Sequence, residues 1–163
     1  MVSEARNRIL ALCEALYSSG AFGTLWPDVP LPKVYLGFPV NEPPFYVAVD
    51  EVTDYLGTTG AVSMGHAEVE WTCRVWCFAQ HTSLQTASDA LLAYCEALIM
   101  AVLADNTLGG TVDNAFPGIE TAGTSADGSK RYIAAASVAV RCSLFSVCPA
   151  EIREVIANVD SDV

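Results

Sequence analysis

The chain has 163 residues, of which 52% are hydrophobic, and it carries 19 acidic against 8 basic side chains. This length suits a single domain with a sizeable core, so one domain is predicted over residues 1–163. No lysine or arginine lies between Arg74 and Lys130, whereas a protein that grips nucleic acid needs such side chains against the phosphates, so specific nucleic-acid binding is not expected.

The N-terminal segment favours a protein made in the cytoplasm, and this bears on the state of the cysteines. Glu14 interrupts the first apolar run, so the segment lacks the pattern of an export signal. Without export, free thiols are expected at the six cysteines, which are Cys13, Cys73, Cys77, Cys95, Cys142 and Cys148. No run of about 20 apolar residues occurs, and no membrane partner is expected.

The first half of the chain predicts one helix followed by strands. Apolar residues recur at helical spacing from Ile9 to Tyr17. The segment "FGTLWPDVPLPK" contains three prolines and predicts an extended connector. Short strands are predicted at 34–39 and 45–52, and the three glycines of 53–66 predict a long, mobile hairpin loop. Residues 67–79 predict the clearest strand, because the odd positions share one apolar face. The other face is polar from Glu68 to Arg74 and becomes apolar at Trp76 and Phe78.

The second half predicts one long helix and two further strands. Thr82 to Gln85 form a capping-box pattern, and the helix behind it runs to about Ala104 with Leu84, Leu91 and Leu98 on one face. Extended chain follows, then a turn at "SADGSKR", a strand over 131–145 and a short terminal helix over 149–159. The predicted fold is α+β: a mostly antiparallel or mixed sheet with one long helix packed across it.

The segment "DNTLGGTV" predicts a sharp helix-to-strand turn. Asn106 is expected to take the left-handed conformation that ends a helix, and Leu108 to fold back onto its last turn. Gly109 and Gly110 let the backbone reverse without a steric penalty.

The near-matches to catalytic motifs are each explained better as ordinary structure. "GAVSMGHA" has His66 and Ala67 where a phosphate-binding loop needs lysine and serine or threonine. "GTSADG" lacks the spacing of a nucleophile elbow and predicts a polar turn. Cys73 and Cys77 would stand about 13 Å apart on one strand, too far for one zinc ion or a disulfide. No enzyme activity, cofactor or metal is therefore expected.

The arrangement of the segments resembles the tail-terminator proteins of long-tailed bacteriophages, which are similar to the minor tail protein U type. The resemblance covers roughly residues 4–145 and lies in a helix containing "ILALCEALY", the extended "KVYLGFP", the strand "VEWTCRVWCFAQ", the helix end "ALIMAVLADNTLGGTV" and the strand "RYIAAASVAVRCSLF". Its one semi-specific motif is L-x-x-N-x-L-G-G-x-V, beginning at Leu103. Residues 146–163 lie outside the pattern.

The resemblance implies a structural virion protein of the tail or neck. Such proteins form a hexameric ring on the last ring of the major tail tube protein, stop its polymerisation and offer the other face to the head-completion or connector proteins. Genomic DNA passes through the lumen without specific binding, and an acidic wall would repel its phosphates.

Two sets of residues are candidates for roles in such an assembly. The hairpin is the candidate arm toward the tube or a neighbouring subunit, and its residues are Tyr55, Leu56, Gly57, Thr58, Thr59, Gly60, Val62 and Met64. Glu68 and Glu70 are candidates for an acidic surface, with the lumen as one location. Two other interpretations stay open: a head–tail connector or other neck ring protein, and a small cytosolic binding module that dimerises through its sheet.

Overall fold

The computed structural model describes residues 2–51, 54–63, 66–147 and 154, with side chains described outside 54–67 and 146–147. Three helices lie in these ranges: α1 (Val2–Ser18), α2 (Gly20–Leu25) and α3 (Leu84–Ala104). The strands are β1 (Lys33–Leu36), β2 (Phe45–Val49), β3 (Asp54–Ser63), β4 (His66–His81), β5 (Asn114–Ala126) and β6 (Tyr132–Val147). The predicted α+β class is confirmed.

The strands form one mixed sheet in the order β1-β2-β4-β6-β5. Only β1 and β2 run parallel, while the other described pairs are antiparallel. The second half of β4 pairs with β2 through residues 75–79, and its first half pairs with β3 through residues 66–72. β4 and β6 pair over 16 residues each, a length of roughly 53 Å.

The alternation of β4 is explained by the helices that cover one face of the sheet. Residues at odd positions from Val69 to Ala79 are buried, as predicted, and the facing residues of β6, from Ala134 to Val140 at even positions, are buried with them. α3 lies across this face and buries Leu91, Leu98 and Val102. The helix therefore supplies the second layer of the core.

Four details differ from the predictions. Residues 53–66 are not a loop, because the described part, Asp54–Ser63, is a strand. The connector "FGTLWPDVPLPK" begins inside α2 rather than in extended chain, and Phe22 of that helix is buried. The helix α3 is capped by Ser83, whose Oγ accepts a hydrogen bond from the Thr86 amide, so the capping-box register was wrong by one residue. Leu84 is 42% exposed rather than on the buried face.

The predicted terminal helix and the apolar character of α3 are the two remaining points of comparison with the sequence. The predicted terminal helix at 149–159 lies outside the described residues apart from the helical Glu154. By length and composition, α3 is apolar enough to cross a membrane, and half of its apolar 18-residue window is buried inside the protein. Its contacts with β4, β5 and β6 make it the core helix of this domain.

Candidate interaction surfaces

The turn after α3 reverses the chain through three consecutive left-handed residues. Leu108, Gly109 and Gly110 have φ values of 48°, 67° and 83°. The two glycines accept this conformation without strain, as predicted, and Leu108 accepts it because its side chain is fully buried in the core. The amides of Leu108 and Gly110 donate to the carbonyls of Asp105 and Thr107 at 2.9 and 3.0 Å. The turn is thus closed internally and fixes where β5 begins.

The helix end is capped by Asp105 rather than by Asn106. Asn106 is exposed and does not have a positive φ, so the predicted left-handed conformation at this residue is wrong. One carboxylate oxygen of Asp105 accepts the Gly109 amide at 2.9 Å, and the other accepts Nε and Nη2 of Arg8 at 3.1 and 2.8 Å. The Gly109 amide and then Arg8 lower the pKa of the Asp105 carboxyl below its ordinary value. The turn is thereby joined to α1, a contact across 97 residues of sequence.

The candidate arm is one strand of a β-hairpin. Within β3, Tyr55 lies opposite Trp71, Gly57 opposite Glu70 and Thr59 opposite Glu68, with register shifts between Tyr55 and Gly57 and between Thr59 and Ser63. Leu56, Thr58, Gly60 and Val62 belong to the same strand. Met64 lies outside the described residues. The hairpin lies at the end of β4 that is distant from β2. Its role as an arm stays a prediction.

Glu68 and Glu70 lie on the sheet face that the helices leave uncovered. Glu68 is exposed and Glu70 is half-buried. They line a groove of about 330 Å³ together with Asn114, Phe116 and Arg141. The groove therefore contains a cation as well as carboxylates, and its place in a lumen stays a prediction.

The other half of the uncovered sheet face carries a cluster of aromatic side chains. Tyr46 stacks on Phe78 with ring centroids 4.6 Å apart. The ring centroid of Phe38 lies 5.9 Å from that of Trp76 and 6.1 Å from that of Phe78. Burial and then the neighbouring Glu42 carboxylate raise the pKa of Tyr46 to about 12. Phe38 is still 53% exposed, and Val40 beside it in sequence is 99% exposed. An apolar surface is thus open on this side.

A second apolar surface runs along the outside of α3. Leu92, Met100 and Leu103 are 58%, 44% and 59% exposed, and their spacing puts them on one stripe of the helix. Asp89 and Glu96 are exposed along the same stripe, and α3 carries no basic residue. This surface is therefore apolar and acidic, and it lies on the opposite side of the domain from the aromatic cluster.

The histidines and cysteines hold structural positions where they are described. His81 Nδ1 accepts the Ser83 amide at 3.0 Å, which supports the start of α3. Cys13, Cys73, Cys77, Cys95 and Cys142 are buried free thiols, and burial raises the pKa of Cys13, Cys73 and Cys142 to about 12. Among the described residues, no three His, Cys, Asp or Glu side chains are grouped to hold a metal ion. Cys148 and the His66 side chain lie outside the described part.

Comparison with known proteins gives a distant likeness to solved structures. No model of a known protein family matches the chain, and no curated protein matches it. Among solved structures, a chain described as "Virion of native gene transfer agent (GTA) particle" aligns with a TM-score of 0.46 and 13% identity, over 81% of this chain and 91% of that chain. At this degree of similarity, what the chain does has to be argued from its own residues.

Proposed function

We propose that the chain is a structural subunit of a phage-type virion, and specifically a tail terminator that closes into a ring on the end of the tail tube. The observation that carries the proposal is exposed apolar surface on several sides of a small acidic domain. Among the side chains that the structure describes, the large hydrophobic ones at least 40% exposed are Leu25, Leu31, Leu36, Phe38, Val40, Leu84, Leu92, Met100, Leu103, Phe116, Ile119 and Phe145.

Such a distribution favours an assembly subunit over an isolated enzyme or a simple dimer. A soluble monomer rarely exposes large contiguous apolar patches, and those it has usually mark contact sites. A two-fold dimer covers one patch with its own copy, whereas a ring places one patch against a different patch. The α3 stripe and the aromatic cluster are two unlike patches on opposite sides of the domain, which suits the second arrangement.

The acidic character suits a role around DNA without binding to it. The formal net charge is −11, and the phosphate backbone is repelled by such a surface. DNA would then pass through the centre of the ring without adhering to it. The finer assignment to the terminator rests on the resemblance of the "ALIMAVLADNTLGGTV" segment and its neighbouring strands.

The ring is tested by mass from light scattering over a range of concentrations, with negative-stain images of the same fractions. We expect a closed six-fold ring with a central hole wide enough for duplex DNA. A monomer at every concentration, even with tail-tube protein added, would contradict the proposal, and so would a compact two-fold dimer without a hole. The dimer would instead favour the small binding module.

The terminator is separated from a neck connector by the partner that the ring binds. A terminator is expected to bind the end of the tube and to stop its growth in a tube-polymerisation assay. A ring that binds head-completion protein but leaves tube growth unchanged would be a connector.

Deletion of residues 57–64 tests the arm, because normal rings and normal tails from that variant would exclude a role of the hairpin in either contact.

The α3 stripe is tested with a matched pair of variants. Leu92→Glu and Gln85→Glu each add one negative charge to the exposed side of the same helix. We expect Leu92→Glu to weaken ring formation about tenfold or more, since it puts a charge into an apolar contact, and Gln85→Glu to leave it nearly unchanged. Gln85 lies two turns before Leu92 at the start of the helix, where the side chain is already polar. Rings formed by Leu92→Glu as readily as by the wild type would remove the stripe from the interface and would leave the ring itself to the scattering measurement.

A further inference from the structure

Three strands of the described sheet have one side without a partner strand: β1 and β3 at one edge, and β5 at the other. Among the described residues, nothing covers the outer side of β5 along half its length. Residues 118–126 are all exposed, and 121–126 have the sequence Thr-Ala-Gly-Thr-Ser-Ala without a charge or a proline. Natural edge strands are usually blunted by lysine, proline, bulges or a covering element, because a bare edge pairs with any free strand. Here the bulge, between Ile119 and Thr121, and Pro117 come before the bare segment.

The hydrogen-bond pattern shows which β5 amides point away from the sheet. Asp127 donates to the Arg131 carbonyl at 2.9 Å and so faces β6. Direction alternates along an antiparallel strand, and the register is unbroken from Thr121 to Ala126. The backbone groups of Ala122, Thr124 and Ala126 therefore point outward from the edge.

The opposite edge, β1, offers a complementary strand. Gly37 donates to the Val49 carbonyl at 2.7 Å, so residues of the same parity face β2 and the groups of Val34 and Leu36 point outward. β1 is parallel to β2, and three successive antiparallel pairings then lead to β5. β1 and β5 consequently run in opposite directions, and a second copy placed beside the first by rotation about an axis along the strands brings them together as an antiparallel pair.

Charge and apolar surface agree with this pairing. Lys33 is the only charged residue in 29–40, and Glu120 is the only one in 114–126, so the pairing brings no like charges of these two segments together. Glu120 also binds Arg74 of its own chain at 2.6 Å. Exposed apolar side chains flank both edges: Leu31, Leu36 and Phe38 beside β1, and Phe116 and Ile119 on β5.

We propose that β5 of one subunit pairs through residues 121–126 with β1 of the next copy, so that the sheet continues from subunit to subunit. The inference rests on the proposed ring, since it names the contact through which that ring closes. Main-chain hydrogen bonds supply the pairing, as in other β-augmentation complexes, and the neighbouring apolar side chains supply buried area.

The test uses one proline variant on each edge with a shape-matched control. Thr124→Pro removes an outward N–H of β5 without removing a bond to β6, and Leu36→Pro does the same for β1. Thr124→Val and Leu36→Val keep the N–H groups. We expect both proline variants to be folded monomers by circular dichroism and light scattering, while both valine variants form rings like the wild type.

Mixing the two proline variants separates the proposed pairing from simple misfolding. Thr124→Pro retains an intact β1 edge, and Leu36→Pro retains an intact β5 edge, so one contact and no more can form between them. We expect the mixture to give a complex of two subunits that does not grow larger. The pairing would be overturned if either proline variant alone formed rings, or if a mixture of the two folded variants contained only monomers. In both cases, rings formed by the wild type would still support the proposed function. Absence of wild-type rings would overturn both.

Discussion

Replacing Leu108 with alanine is expected to destabilise the domain by about 2–5 kcal/mol, because this side chain is fully buried where the turn meets the core. Removing three buried carbon atoms loses about 2.4 kcal/mol of transfer free energy, and the cavity that remains adds to this. Leu108 has a φ of 48°, and alanine has a Cβ as leucine does, so the strain of the left-handed conformation is the same in both proteins. The loss therefore reports packing alone.

The measurement is urea unfolding followed by tryptophan fluorescence, at a protein concentration low enough that light scattering shows monomers. Leu103→Ala is the control, since Leu103 lies five residues earlier and is 59% exposed. Its substitution is expected to change the free energy of unfolding by about 0.5 kcal/mol or less. Equal and small losses for Leu108→Ala and Leu103→Ala would refute the placement of Leu108 in the core and, with it, the geometry of the turn.

The remaining predictions concern the helix cap, a carboxylate and the thiols. Ser83→Ala is expected to cost about 1 kcal/mol in urea unfolding, because it removes the acceptor for the Thr86 amide, whereas Thr82→Ala should cost little; the reverse ranking would restore the capping-box register. The Asp105 carboxyl has a lower pKa in the folded protein than in the unfolded chain, where it is about 4. Its contribution to stability is therefore complete above a pH of about 4 and is lost as the pH falls through the folded pKa. Asp105→Asn is expected to make the free energy of unfolding depend less on pH in that acid range and to leave its pH dependence near neutrality unchanged. Cys13 and Cys142, with pKa values raised to about 12, should resist maleimide at pH 8 in the folded protein and react once it is unfolded, as mapped by mass spectrometry; rapid labelling of the folded chain would contradict their burial.

The parts of the fold with a strong period could be predicted from the sequence. The odd residues from Val69 to Ala79 alternate with polar or larger residues, and this period identifies both the strand and its buried face. The buried stripe of α3 was visible in the same way through Leu91, Leu98 and Val102. These elements were predictable because one neighbouring layer covers one face, so that burial follows local geometry.

The elements that were missed have weak local signals and depend on tertiary contacts. β3 contains Gly57 and Gly60, which favour a loop by propensity, yet its backbone pairs with β4. The short helix α2 contains Gly20 and Gly23 and precedes three prolines, and the burial of Phe22 stabilises it where local preference does not.

The helix end shows most clearly what a single sequence hides. Asn106 was the better local candidate because asparagine tolerates the left-handed conformation. The structure instead uses the carboxylate of Asp105, which binds the Gly109 amide and also Arg8. Arg8 is 97 residues away in sequence, so the second interaction that favours aspartate over its neighbour exists only after α1 has packed.

The surfaces that carry the proposed function follow from how little covers the second face of the sheet. Trp76 and Phe78 make that face of β4 apolar, and a strand that is apolar on both faces normally lies between two layers. Here the described chain supplies helices on one side, and on the other side it supplies the Phe38 side chain, itself 53% exposed. Half of this sheet face therefore has no second layer from the described chain, and its apolar side chains are open to contact with another molecule. Because the β1 and β5 edges are open as well, a neighbouring copy that continues the sheet would also bring its own residues beside the aromatic cluster.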